Sequence, residues 1–359
     1  MTIHSDILII GGGIAGLSVG ARLAPHANVT LLEAEDALAY HSSGRSMAIY
    51  EASYGESSTI ALARASGDFY HNSDYLSPRG LMVVAKPGED AALEADLKEM
   101  TLDEISVDEA LQIVPLLDRT KIARAGYHAA AWDIDADRLL QDHAKTIRAH
   151  GGQVLTKSRV MQISYNGQWR VDVGELSYGA DQLVNAAGSW GDQIAVMAGI
   201  APIGLTPCRR SVARISTPGD FDPASWPIFF GVKESWYARP DAGALSVSPA
   251  EEEPTTPHDA WADDMTLAEG LARFEAVVSK PVTRMLSNWA GLRTFSPDRS
   301  LVIGRDPVVP DFFWLVGQGG YGFLTSPAAS QTAAELILNQ IPTLSADVIT
   351  QLSPERFSR

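Results

Sequence analysis

The chain has 359 residues, 45% of them apolar and 20% charged, with 44 acidic against 28 basic side chains and a formal charge of -16. That length suits two domains and a sizeable core, and the acidic balance would repel a phosphate backbone, so nucleic acid is excluded as an expected partner. One cysteine, Cys208, rules out an internal disulfide or a thiolate metal cluster, and no stretch has the flanks and length of a signal or membrane segment, so a soluble, cytoplasmic protein without a metal site is expected.

Residues 7–10 form a short apolar run that breaks at Gly11-Gly12-Gly13, after which Ile14, Leu17 and Leu23 keep helical spacing up to Pro25. A second run over 29–32 ends at Glu33 and completes a βαβ unit of about 30 residues. In Gly11-x-Gly13-x-x-Gly16 the first glycine permits a tight turn, the second admits the backbone to a pyrophosphate, and the third lets helix and strand pack closely. The helix that opens at Ile14 and Ala15 offers free N–H groups and a favourable dipole to phosphate. Glu33, roughly 20 residues on at a strand end, suits a ribose diol. This fingerprint leaves FAD and NAD open.

Further along, the polar stretch 40–54 reads as a loop able to cover a cofactor, and 81–84 reads as a strand. Ser106-x-x-Glu109 is a capping box, and Asp135 caps a helix to about His150 with Leu139, Leu140 and Ile147 on its buried side. Asn166-Gly167 ahead of alternating Trp169, Val171 and Val173 predicts a hairpin, and the strand 182–184 runs into Asn185-Ala186-Ala187-Gly188-Ser189-Trp190. Strands over 211–215, 228–232 and 243–247 and a helix over 267–278 follow, with the acidic stretch 251–264 as a surface loop. Strands over 301–304 and 312–316 and a helix from 325 to 338 return to α/β character. The N-terminal position of the fingerprint, and the likeness of 185–190 to the late cofactor-contacting motif of FAD enzymes, favour FAD. The expected fold class is α/β. A Rossmann-like, glutathione-reductase-like FAD domain is assembled from 1–80, 145–201 and 286–359. An α+β substrate domain on a mixed or antiparallel sheet comes from 81–144 and 202–285.

Trp289-Ala290-Gly291-Leu292-Arg293-Thr294-Phe295-Ser296-Pro297-Asp298, then Val302-Ile303-Gly304 and Gly317-Gln318-Gly319-Gly320-Tyr321-Gly322, resembles the signature of the D-amino-acid oxidase family of flavin oxidoreductases. His41-Ser42-Ser43-Gly44-Arg45-Ser46 and Leu76-Ser77-Pro78-Arg79 bring the resemblance closest to its bacterial D-amino-acid and D-arginine dehydrogenases, over nearly the whole chain. The resemblance implies that a hydride passes from the α-carbon of an amino acid to N5 of a non-covalently held FAD. The resulting imino acid is hydrolysed to a 2-oxo acid and ammonia. The electrons go to a quinone, an electron-transfer protein or oxygen.

The same resemblance implies roles for particular residues. Arg210 and Arg293 match carboxylate-binding positions, where a guanidinium fork meets both oxygens. Tyr54 and Tyr237 match substrate-facing tyrosines, and Gly320 and Tyr321 pass close to the flavin and the substrate amine. The cofactor is bordered by Gly11, Gly13, Ile14, Ala15, Gly16 and Glu33, by Ser43, Gly44, Arg45, Ser46 and Met47, and by Val160, Ala187, Gly188 and Trp190. Gly291, Arg293, Gly319, Gly320, Gly322 and Thr325 complete that set. Ser46 and Met47, near where some relatives carry a flavin-bonded histidine, cannot form such a bond, and His41 is a candidate by proximity alone.

Three departures bear on the substrate. Leu81 stands where D-arginine dehydrogenase places a glutamate against the guanidinium, and Ile49 replaces a histidine. With Ile228 and Phe230 on the matching wall, a neutral, apolar or aromatic D-amino acid is expected. Glu51 replaces a threonine and is the residue that would restore an acidic partner. Ser246 aligns with the lysine that sarcosine oxidases place over the flavin, which favours a dehydrogenase. The competing readings are an oxidase or dehydrogenase of a secondary amine (sarcosine, glycine, an opine), a 2-hydroxy-acid dehydrogenase, and a non-catalytic flavoprotein.

Overall fold

The computed structural model describes residues 2–219 and 221–357. Ile7, Leu8, Ile9 and Ile10 are all buried, as in a strand covered on both faces, and they end the strand Thr2–Ile10 inside an eight-stranded sheet. Alternation sends Ile7 and Ile9 into a core with Leu17, Leu31 and Ile147, and Leu8 and Ile10 into a second core with Trp169 and Trp314. Gln153–Leu155, Val29–Leu32, Thr2–Ile10, Leu176–Asn185 and Phe312–Val316 lie parallel in that order. The hairpin of Gln162–Tyr165 and Trp169–Val173 adds antiparallel to the first half of Leu176–Asn185. Helix Ile14–Leu23 joins the first two strands and packs against Ala136–Ala149 and Gly322–Ile337; a side chain at Gly20 would meet Ile147 and Ile9. Both bonds of the Ser106–Glu109 capping box form, and Asp135 accepts from the Arg138 N–H.

The second sheet has nine strands and is mixed: Ile228–Gly231 runs parallel to Leu81–Ala85, while its other pairings are antiparallel. Alternation again divides two faces. Met82, Phe229 and Val247 meet Phe274 of helix Asp264–Glu275, whereas Leu81, Val83, Ile228, Phe230 and Tyr237 face the opposite way. A small sheet of Ile49–Tyr50, Trp132–Ile134 and Leu76–Pro78 lies apart from both.

Two elements sit differently from the expected division. Strand Met285–Phe295, all but its first residue within the expected cofactor stretch 286–359, pairs along its length with Thr206–Ser216 in the second sheet. Helix Ala136–Ala149, whose first half falls before residue 145, packs whole against Ile14–Leu23 beside the first sheet. Among the described residues no helix is long and apolar enough to cross a membrane.

Candidate active site

Residues of both large sheets line one cleft of about 400 Å³, with the glycine turn at one end and Tyr54, Arg210, Tyr237 and Arg293 at the other. Gly11 has a φ of +114°, and a Cβ there would stand 2.3 Å from the Ala186 carbonyl oxygen; a Cβ at Gly16 would stand 2.0 Å from that of Gly11. Neither position admits a side chain. Gly11, Gly13, Ile14 and Ala15 border the cleft, and the helix begins there with no acid in its first turn. The Ile14 N–H donates to Ser43 Oγ at 3.0 Å. Glu33 accepts from the Gly12 N–H at 2.7 Å and the Glu35 N–H at 2.9 Å, which fixes its carboxylate while leaving lone pairs for a diol. A bare turn, an open helix start and an oriented acid fit the pyrophosphate and ribose of FAD.

The middle of the cleft carries Ser43, Arg45, Ser46, Met47, Val160, Ala187, Gly188, Trp190, Gly291, Gly319 and Gly322, all expected there. Arg45 does more than border it. Its guanidinium donates to the carbonyls of Ala260 (2.8 Å) and Ala290 (2.9 Å) and pairs with Asp259, tying the 40–47 loop to two distant segments. The His41 ring lies against Trp190 with its Nε2 3.2 Å from Glu35. Four expected contacts do not reach the cleft surface. Gly16 and Gly44 are packing positions, since a Cβ at Gly44 would meet the Ala39 carbonyl at 2.3 Å. Thr325 is fully buried in the first turn of Gly322–Ile337, which starts earlier than the sequence suggests, and its hydroxyl bonds the Tyr321 carbonyl at 2.8 Å. Tyr321 instead packs edge-on against Tyr54, ring centroids 5.3 Å apart.

At the far end, Cys208 pairs with Arg293 and Arg210 with Gly291 across two antiparallel strands, so the two guanidiniums are diagonal neighbours on one face. The bare Gly320 lets Arg293 lie against it; a Cβ there would stand 2.7 Å from Arg293 Cζ. Burial opposes the Arg293 charge, but Tyr237, Tyr54 and Glu234 outweigh it and hold the guanidinium protonated, above its ordinary range. Leu81, Ile228 and Phe230 form the apolar wall, with Met100 and Ile49 also lining the cleft. Phe230 packs on Tyr237 at 5.5 Å.

Glu234 is the residue that sequence reasoning missed. Its Oε2 accepts from the Tyr54 hydroxyl at 2.7 Å and its Oε1 from Arg210 at 3.1 Å, with Arg293 at 3.8 Å. Burial, then the Glu234 charge, pushes the Tyr54 phenol well above its ordinary value. Arg210 also donates to Glu252 at 3.1 Å, so its charge is matched twice. The acidic run therefore does more than form a surface loop: Glu251 accepts from the Ser211 N–H (2.6 Å), Glu252 from Arg210, and Glu253 pairs with Arg209. Glu51, 5% exposed, lines the cleft. Ser246 does not line it; its hydroxyl bonds Asp241 at 3.0 Å, so the alignment with a flavin-facing lysine fails. Cys208 is free and buried.

Residues 6–336 match the DAO family, described as FAD dependent oxidoreductase. FAD-dependent oxidoreductase domain-containing protein 1 of Bos taurus is 24% identical over 99% of this chain and 85% of its own length. Human mitochondrial dimethylglycine dehydrogenase is 23% identical over 71% of this chain but only 31% of its own length. L-proline dehydrogenase from P. horikoshii superposes with a TM-score of 0.84 at 21% identity, covering 100% of this chain and 99% of that one, which shows the shared fold. The chain belongs to the DAO family of FAD-dependent oxidoreductases, and FAD is its cofactor.

Proposed function

We propose that this enzyme oxidises the Cα–N bond of a small amino acid, with a D-amino acid of neutral, apolar or aromatic side chain as the preferred substrate. The observation that carries this is the pairing, at one end of a dinucleotide cleft, of the Arg293 guanidinium and an apolar wall of Leu81, Ile228 and Phe230. Arg293, less fully neutralised than Arg210, takes the carboxylate, with Tyr54 and Tyr237 beside it. The wall receives the side chain and excludes water from the reacting carbon. Bound without a covalent link along the glycine turn, Glu33, the 43–47 loop and Trp190, FAD supplies the two-electron acceptor. The electrons leave to a quinone or electron-transfer protein. No lysine lines the cleft among the described residues, and this supports the dehydrogenase reading now that Ser246 does not.

The match to dimethylglycine dehydrogenase favours a second reading, in which the substrate is an N-methylated amino acid and the oxidised carbon is the methyl. Product analysis separates the two. Deamination yields a 2-oxo acid and ammonia, whereas demethylation yields formaldehyde and leaves the amino acid intact. Incubation with D-, L- and N-methyl amino acids is expected to give 2-oxo acid from the D-series; formaldehyde alone would overturn the deamination reading.

A further inference from the structure

An amino acid reaches a neutral-pH site as an ammonium ion, whose nitrogen has no lone pair with which to form C=N. A proton must leave nitrogen before the α-hydrogen leaves carbon, so the site needs an acceptor. Arginines offer none, Tyr54 donates to Glu234, and both oxygens of Glu234 are engaged by Tyr54 and Arg210. Glu51 is the exception. Tyr50 turns the other way and packs at a tilt against Tyr70 and Trp132, while Ile49 and Glu51 both line the cleft. Glu51 Oε1 accepts from the Ser53 N–H at 3.0 Å, while its buried Oε2 has no partner. A buried oxygen left bare in a ligand cleft is costly unless something fills it.

We propose that Glu51 Oε2 accepts the proton of the substrate's ammonium group and so prepares the amine for oxidation. This rests on the reading of the site as one that oxidises amino acids. In the step the substrate N–H bond breaks and an Oε2–H bond forms, the ammonium becoming a neutral amine and the carboxylate a neutral acid. The proton leaves to water when product departs, and no co-reactant is needed. Burial raises the Glu51 carboxyl, opposed by Ser53 and Arg64, which makes its carboxylate a stronger base. The charged and titratable groups that bear on it are Arg64, from helix Ser57–Ala65, and Tyr50 beside it.

The test is anaerobic flavin reduction by the best amino acid across pH 6 to 10, in the FAD-loaded wild type, Glu51→Gln and Glu51→Asp. Glu51→Gln is expected to be about 10²-fold slower at pH 7. Its rate should climb about tenfold per pH unit toward the amine's own pKa, so that the gap closes at high pH. Glu51→Asp keeps a carboxyl and should keep the flatter wild-type profile. Propionate, a carboxylate with no amine, should still bind in both variants, which shows that the cleft is folded. A Glu51→Gln rate that equals wild type, or falls by one factor at every pH, overturns the proton-acceptor role alone. Wild-type flavin that no amine reduces overturns this role together with the function it rests on.

Discussion

The Tyr54 hydroxyl donates to Glu234 Oε2 at 2.7 Å, although 180 residues separate the two in sequence. With Arg210 on the other oxygen, a protein carboxylate fills a position that an amino acid's carboxylate would contest. The turn that delivers it is unusual, since Lys233 and Glu234 have φ of +55° and +51°, a region that side chains rarely adopt. Glu234→Gln should therefore relieve competition for the guanidiniums. Its dissociation constant for propionate, read from the flavin spectrum, should fall by about tenfold, or about 1.4 kcal/mol. Weaker binding would mean that Glu234 orients Arg210 and does not compete.

Arg293→Ala should raise KM for the amino acid by about 10²-fold, in line with loss of a charge-assisted, bidentate contact, while FAD stays bound with an intact spectrum. Arg293→Lys should recover little, because an ammonium cannot meet both carboxylate oxygens in one plane. Unchanged KM in Arg293→Ala would remove the residue from the carboxylate role.

Gly11→Ala should cost at least about 2 kcal/mol, since alanine is strained at φ +114° and its methyl meets the Ala186 carbonyl. FAD content after purification and the melting temperature both report it. Gly20→Ala, whose added methyl meets the flexible end of Ile147, should be milder and should retain FAD.

The dinucleotide turn was legible in the sequence because its glycine spacing is set by local sterics: at Gly11 and Gly16 a side chain would collide with backbone. The apolar wall was legible only through the family resemblance, which named Leu81, Ile228 and Phe230; in the structure, alternation along the strands puts them on one face with Tyr237. What escaped reading depended on distance. No motif marks Lys233-Glu234, and a left-handed backbone at both residues carries Glu234 to Tyr54. Glu51 was named from the sequence as a candidate acidic partner, but its burial was not, because a glutamate in a polar loop ordinarily faces solvent. Ser246 sits on a strand whose alignment with a distant relative says nothing of its partner Asp241. The expected boundary at residue 286 separates 286–295 from Thr206–Ser216, whereas the long pairing of Met285–Phe295 with that strand decides which sheet it joins.

His143 supplies a pH dependence independent of the site. Burial, aided by Arg22 and opposed by Asp142, pushes its imidazole from 6.5 down to about 4. The folded protein keeps it neutral where the unfolded chain protonates it, so its contribution is complete above pH 6.5 and is lost as pH falls toward 4. The loss should reach about 3 kcal/mol. Denaturant unfolding at pH 7 and pH 4.5 should show a smaller pH effect in His143→Gln than in wild type; an equal effect would rule His143 out as the source.

The proposed site holds FAD and a bound amino acid side by side in one cleft. The decisive experiment is anaerobic addition of D-, L- and N-methyl amino acids to the purified holoenzyme, with the flavin absorbance followed in a stopped-flow instrument. Apolar or aromatic D-amino acids should bleach the flavin at a rate that saturates with concentration, and Arg293→Ala should need about 10²-fold more substrate to saturate. A flavin that none of these compounds bleaches, while dithionite reduces it fully, would mean that the cleft does not oxidise amino acids.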